Sequence, residues 1–256
     1  MEVDNETQSV VDYAIADQEF MAIVPAVYQG ALITYGTGAQ SGPNVLGCDT
    51  LAFYSGTRDT SDFSSNPVYI FNPSAQNCAL TMPDGKVRSG SVRVRLTGKV
   101  RIPESRMIFK LNNYIAGGIQ YFCDSMIVTT KESTPQYAIF NVKLVNGVCK
   151  TSGYSISYRF DRTFIVYPKG DANGSGAVMY IHGSASGTNR HGTNFSTTVS
   201  PGFMLTKHKT CSYIDRGAME LTPEGFKIRT IDFGNGNCDD QATFTVNENT
   251  VAFKLK

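Results

Sequence analysis

No tryptophan occurs among the 256 residues, which excludes a flat indole platform of the kind that stacks on sugars. Charge of either sign is sparse: 23 Lys and Arg face 22 Asp and Glu, a net of +1. That balance leaves no broad positive field to concentrate nucleic acid or anionic lipid. No apolar run approaches the roughly 18 residues that cross a bilayer as a helix, and no signal-type apolar core stands at the start. If the protein is exported, its targeting segment has been removed. None of the six cysteines forms a C-x-x-C pair, the spacing of zinc ribbons and dithiol redox sites. The three histidines, His182, His191 and His208, lack H-x-x-x-H and H-E-x-x-H spacing, which argues against zinc.

What the chain does contain is β-forming. Hydrophobic residues make up 41% and charged residues 18%, with 24 Gly, 13 Tyr and 15 Phe, the balance of a turn-rich β protein. Val92, Val94 and Leu96 alternate with Arg93 and Arg95, and Ala138, Phe140, Val142 and Leu144 share one parity. Similar short runs, bounded by Gly, Asn, Asp, Pro and Ser, recur around 50–54, 68–71, 106–111, 125–130, 155–160, 163–167, 177–182, 194–199, 226–231, 242–246 and 250–255. The expected fold is a mainly β, disulfide-stapled sandwich, either one large unit or two tandem halves over 36–150 and 151–256.

Residues 1–35 read as a helical segment packed on the sheet. Asn5 with Gln8 suggests a capping box. Val10, Ala14, Met21 and Val24, with Phe20 and Val27, form an apolar stripe, and Pro25 is expected to end or kink the helix. Asp12, Asp17 and Glu19 mark its polar side.

Cys48, Cys78, Cys123, Cys149, Cys211 and Cys238 lie about evenly along the chain, an even count that suggests disulfides and an oxidising compartment. Pairing of sequence neighbours is favoured because each pair flanks a β-meander: Cys48 with Cys78, Cys123 with Cys149, Cys211 with Cys238. Two weak echoes relate the halves. G-x-x-R-x-G occurs at Gly85–Gly90 and Gly187–Gly192, where Arg88 and Arg190 either cap carbonyls in a turn or grip an anion. Cys-Asp-Ser/Thr-apolar occurs at Cys48–Leu51 and Cys123–Met126.

The opening Asp4–Asp12, the central Asp84–Gly90 leading into Val92–Gly98, and the late Thr230–Asp239 resemble a family of uncharacterised secreted and surface lipoproteins of Bacteroidota. The resemblance covers nearly the whole chain on motifs of structural character. It implies export to the cell surface and an N-terminal lipid anchor on a cysteine upstream, with no known activity. It also makes Asp49-Thr50-Leu51 and Asp124-Ser125-Met126 look like O-glycosylation signals of that phylum, with Thr50 and Ser125 as attachment sites.

Two loops suggest a hard cation. Asp171, Asn173 and Ser175 follow the first half of a calcium loop, although His182 stands where the bidentate Glu belongs. Asp232, Asn235, Asn237 and Asp239 form a second oxygen-rich loop around Cys238. A plain Gly-rich hairpin is the favoured reading of the first loop, and either loop fits a turn held by Asx hydrogen bonds. Gly183–Gly187 imitates a nucleophile elbow but has Ala185 at the nucleophile position, and Asp232-Phe233-Gly234 lacks the catalytic loop of a kinase. Carboxylate pairs for glycoside hydrolysis cannot be picked out by spacing. Tyr28, Tyr35, Tyr54, Tyr69 and Tyr114 are the aromatic faces weighed for sugar stacking.

The expected function is a non-enzymatic cell-surface β protein that binds, scaffolds or self-assembles, with the strand Thr250–Leu255 as a donor to an open sheet edge. Its partners are other surface proteins or itself. Alternatives are a glycan-directed lectin or hydrolase and an accessory lipoprotein subunit of an outer-membrane complex. No cofactor is implied beyond Ca2+, and the membrane is met only through the lipid anchor.

Overall fold

The computed structural model describes residues 4–35, 50–55, 68–72, 84, 86–171 and 176–255, with side chains described at 4–24, 68, 84, 86–171 and 176–255. Helix α1 (Gln8–Tyr35) leads into β1 (Thr50–Ser55), β2 (Val68–Asn72), β3 (Arg88–Leu96), β4 (Arg106–Ala116), β5 (Ile119–Phe122) and β6 (Ser125–Ser133). There follow β7 (Ala138–Lys150), β8 (Ser155–Tyr167), β9 (Val178–Thr188), β10 (Asn194–Val199) and β11 (Leu205–His208). The chain ends through β12 (Arg216–Pro223), β13 (Arg229–Asn235), β14 (Gln241–Val246) and β15 (Asn249–Lys254). The mainly β class and the N-terminal helix are as the alternation pattern implies.

The strands form one antiparallel sheet in the order β1-β2-β3-β4-β5-β7-β8-β9-β10-β12-β13-β14-β15. β6 continues the line of β5 between β4 and β7, and β11 that of β10 between β9 and β12. The layers expected of a sandwich are thus parts of a single hydrogen-bonded sheet. The position near 150 is a hairpin: β7 and β8 pair from Ala138↔Val166 to Lys150↔Ser155, so the sheet is continuous across the expected junction of the halves.

This sheet wraps around α1. Residues 9–24 of the helix are buried or half-buried on every side. At about 100° per residue, Asp17 and Glu19 point to nearly opposite sides. Yet Asp17 meets Arg162 of β8 and Glu19 meets Arg88 of β3, four places apart in the sheet. α1 also touches β1, β8 and β15, the first, middle and last of the thirteen strands along that path. Laid flat, thirteen strands would be nearly 60 Å wide, against a helix only about 10–12 Å across. The inward faces and the helix therefore share one hydrophobic cluster. Gly147 allows the close approach: a Cβ there would stand 3.1 Å from Phe20 Cζ and 2.7 Å from the Tyr158 carbonyl oxygen.

Several local expectations are corrected. The Glu6 carboxylate, not Asn5, caps the helix, accepting the Ser9 amide at 2.8 Å. Asn5 is exposed and lies too far upstream of Gln8. α1 runs past Pro25 to Tyr35, because packing of the preceding turns outweighs one lost hydrogen bond, a cost of about 3 kcal/mol. Asp12, Asp17 and Glu19 form no solvated side; they are buried.

Cys211 and Cys238 are disulfide-bonded, with Cα atoms 5.3 Å apart. Cys123 and Cys149 are free thiols. Register explains the difference: Cys149 lies opposite Tyr121 and Phe122 opposite Val148, so Cys123 meets Cys149 only diagonally. Diagonal neighbours stand roughly 7–8 Å apart, beyond usual disulfide reach. Cys48 and Cys78 lie outside the described residues.

The β14–β15 hairpin closes through Asn247 and Glu248, both at positive φ (50° and 65°), a type I′ arrangement. Left-handed backbone costs a non-glycine residue about 1 kcal/mol or more. Glu248→Gly is therefore expected to raise the midpoint of thermal unfolding, measured by circular dichroism; an unchanged or lower midpoint counts against the turn assignment.

Candidate functional site

The charged residues that could do chemistry converge first on the helix. Asp17 accepts Arg162 Nη1 at 2.6 Å and Tyr158 Oη at 2.7 Å, while Tyr13 Oη donates to its other oxygen at 3.0 Å. Glu19 accepts Arg88 Nε at 2.9 Å, Arg88 Nη2 at 3.0 Å and Tyr114 Oη at 2.7 Å. Asp84 holds the far side of the same guanidinium, with Arg88 Nη1 at 3.0 Å and Nη2 at 2.5 Å. Asp12 accepts Arg190 Nε at 2.8 Å, Nη2 at 2.6 Å and the Arg190 amide at 2.7 Å. Asp4 pairs with Arg229, which also donates to the Glu6 carbonyl at 2.6 Å. Four arginines, three from distant strands and Arg190 from the turn after β9, thus grip four carboxylates of residues 4–19.

Electrostatics follows from this geometry. Burial raises the carboxyl pKa of Asp84, but hydrogen bonds from Arg88 and the Lys86 amide, with the charges of both side chains, outweigh it and hold the group below 3.8. Burial likewise works against ionisation of Asp4, and hydrogen bonds from Arg229 and two amides, with the Arg229 charge, bring it below 3.8. The phenol of Tyr114 is pushed well above its ordinary range by burial and by the Glu19 carboxylate, so it stays protonated and donates. Asp12 and Glu19 are fully enclosed, which denies them to an external substrate as general acid or base.

Arg88 and Arg190 accordingly face carboxylates of their own chain and not a free anion. The repeated G-x-x-R-x-G pattern marks two grips on one helix; Gly90 and Gly192 both take positive φ, 86° and 88°. Arg190 further lies with Cζ 3.8 Å from the Tyr154 ring centroid.

Other predicted positions are scattered. Asp171 accepts the Tyr180 hydroxyl, and Asn173 and Ser175 lie outside the described residues. Asp232 accepts the Gly234 amide at 2.8 Å and Asp239 the Gln241 amide at 2.9 Å, both Asx turns. The Asn235 carbonyl accepts Arg216 Nη2 at 3.0 Å and the Asn237 carbonyl the Asp239 amide at 3.2 Å. Among the described residues no three His, Cys, Asp or Glu converge as a metal cluster. Thr50 opens β1 and Ser125, half-buried, opens β6, so both hydroxyl residues stand at strand starts. His182 lies on β9, His191 in the following turn, and His208 Nδ1 stands 2.9 Å from the buried Asp215. Tyr114 is sealed in the core and cannot stack on a ligand; the side chains of Tyr28, Tyr35, Tyr54 and Tyr69 are outside the described set.

Two half-buried nucleophile types remain. Burial pushes the Cys123 thiol up to about 11, which keeps it protonated and weakly nucleophilic. Burial lowers the Lys207 amine to about 8, but its hydrogens go to the carbonyls of Cys211 and Tyr213, clamping the loop that carries the disulfide. A cavity of about 760 Å³ opens beside Lys86, with Ile15, Val87, Ile115 and Tyr121 in its walls.

The remaining built feature is a sheet edge. Among the described residues β15 pairs with β14 alone, and its residues 249–252 are exposed. Two-residue closure makes Val246↔Asn249, Phe244↔Val251 and Ala242↔Phe253 the hydrogen-bonded pairs, so the backbone of Thr250, Ala252 and Lys254 faces the open side. No protein-family model, curated protein or solved structure matches this chain.

Two outcomes follow from the ionic core. Arg162→Met leaves Asp17 buried without its cation and is expected to cost about 3–5 kcal/mol in urea unfolding, whereas Asp17→Leu/Arg162→Met recovers most of that loss. Recovery absent in the double variant would show that the pair does not act as a unit. Because Asp4 and Asp84 are held below 3.8, they bind fewer protons folded than unfolded. The stability they contribute is present above the unfolded carboxyl value and is lost as pH falls through their folded values, starting below about pH 5. Urea midpoints at decreasing pH should fall, with a shallower slope for Asp84→Asn.

Proposed function

We propose that the protein is a non-enzymatic scaffold of the cell exterior that self-assembles by strand pairing at the open edge of β15. The observation that carries this reading is the outward row of backbone groups at Thr250, Ala252 and Lys254, on an exposed strand. An edge of unpaired donors and acceptors is a template for another strand. The surroundings support a structural role. The Cys211–Cys238 disulfide suits an oxidising compartment, and the ion-paired helix makes the rolled sheet a stiff body on which an edge keeps its geometry. The resemblance to Bacteroidota surface lipoproteins agrees with that setting.

Ala252→Pro removes one outward donor while leaving the β14–β15 hydrogen bonds in place. Wild-type protein is expected to form concentration-dependent oligomers by light scattering after size exclusion, and Ala252→Pro to shift to monomer with an unchanged circular dichroism spectrum. A wild type monomeric at all concentrations, or a proline variant that assembles equally, rejects the edge as the assembly surface.

A further inference from the structure

From the outer face of β7, β8 and β9, we infer that this part of the sheet binds a neutral oligosaccharide. Three partly exposed tyrosines stand together at one end of it. The ring centroids of Tyr137 and Tyr167 are 5.8 Å apart, and those of Tyr167 and Tyr180 6.0 Å apart. Tyr137 donates its hydroxyl to Glu132 and Tyr180 donates to Asp171, so the two outer rings are held in rotation by carboxylates. Burial and the Asp171 bond push the Tyr180 phenol up to about 12, so the ring is uncharged at neutral pH.

Beyond the rings the face continues as an ordered array. Ile139, Ile165 and Tyr180 are opposite one another, then Asn141, Thr163 and His182, then Lys143, Asp161 and Ser184. Successive rows along a strand are about 6.8 Å apart, so four rows from Tyr167 to Asp161 extend about 20 Å, enough for several pyranose units. Asn141 Nδ2 donates to Asp161 at 2.7 Å and Arg159 Nε donates to the Ser186 hydroxyl at 2.8 Å. The surface therefore offers apolar ring faces at one end and mixed donors and acceptors along the rest.

That combination matches a sugar. Its C–H face stacks on an aromatic ring, and its hydroxyls both donate and accept. A cationic ligand is the competing occupant, since ammonium groups also seek aromatic faces. Here Lys143 lies opposite Asp161, and Arg159 on the same face and Arg216, close enough to act on the Tyr180 phenol, offset the charges of Glu132 and Asp171, so the face carries no excess of negative charge to draw a cation. The site is independent of the β15 edge, which lies on a different strand pair.

The test uses native gels containing mixed-linkage β-glucan, xyloglucan, α-mannan or dextran, together with tyrosine fluorescence titrations with chitohexaose. Tyrosine emission is readable because the chain has no tryptophan. Binding of the wild type to at least one probe is expected. Tyr167→Ala should weaken it about tenfold or more, corresponding to about 1.4 kcal/mol or more, while Tyr167→Phe stays within about twofold. Unchanged thermal midpoints show that both variants are folded. Ala252→Pro should bind sugar like the wild type, which separates this site from assembly. Absence of binding to every probe, equal binding by Tyr167→Ala, or binding of a trimethyllysine peptide in place of the sugars overturns the inference.

Discussion

Carboxylates on a buried helix must each find a cation, and the sheet must roll to supply it. Asp12 and Glu19 leave one side of α1 two turns apart and Asp17 leaves the other, while Arg162 and Arg88 come from separate strands and Arg190 from the turn after β9. Sliding or turning the helix would strand buried charges, each at a cost of several kcal/mol. Such pairs add little net stability over an apolar core of equal volume. Their effect is to leave only one depth and rotation of the helix compatible with a satisfied interior. The tyrosines Tyr13, Tyr114 and Tyr158 complete the same set, donating to lone pairs the guanidiniums leave open.

The division of labour in the molecule follows from that constraint. Inward-facing polar groups are spent on holding the helix, which removes them from contact with solvent. In the proposed reading, recognition falls to what the roll presents outward: the open side of β15 and the tyrosine-headed face of β7, β8 and β9. Neither needs a moving part, and both gain from a rigid support, because pairing along an edge and stacking on rings lose less conformational entropy when the receiving surface is already ordered.

Much of the fold was legible in the sequence, for reasons that can be traced to particular residues. Alternation such as Ala138, Phe140, Val142 and Leu144 identified β7, and the closely spaced runs at 155–160 and 163–167 proved to be one strand, β8. β12 escaped notice because Gly217 and Pro223 punctuate it, although its buried parity at Met219 and Leu221 was present. Charge on a helix usually marks water, which is why the helix acids suggest a solvated side. The available signal was that Asp12, Asp17 and Glu19 do not share one face. Likewise, the parity of β8 and β9 points Tyr167 and Tyr180 away from the core, whereas Tyr114 turns inward because a bulge at Asn113 shifts the inward parity of β4 from Met107 and Phe109 to Tyr114 and Ala116.

The residue order alone determined the elements and their faces, because strand and helix periods are local and a two-residue repeat says which side chains share a side. Which arginine meets which carboxylate, why Cys123 misses Cys149, and which tyrosines remain outside were decided only when the sheet closed around the helix. Those outcomes depend on register and curvature across strands far apart in the chain, and a local period carries no information about the partner on the other side.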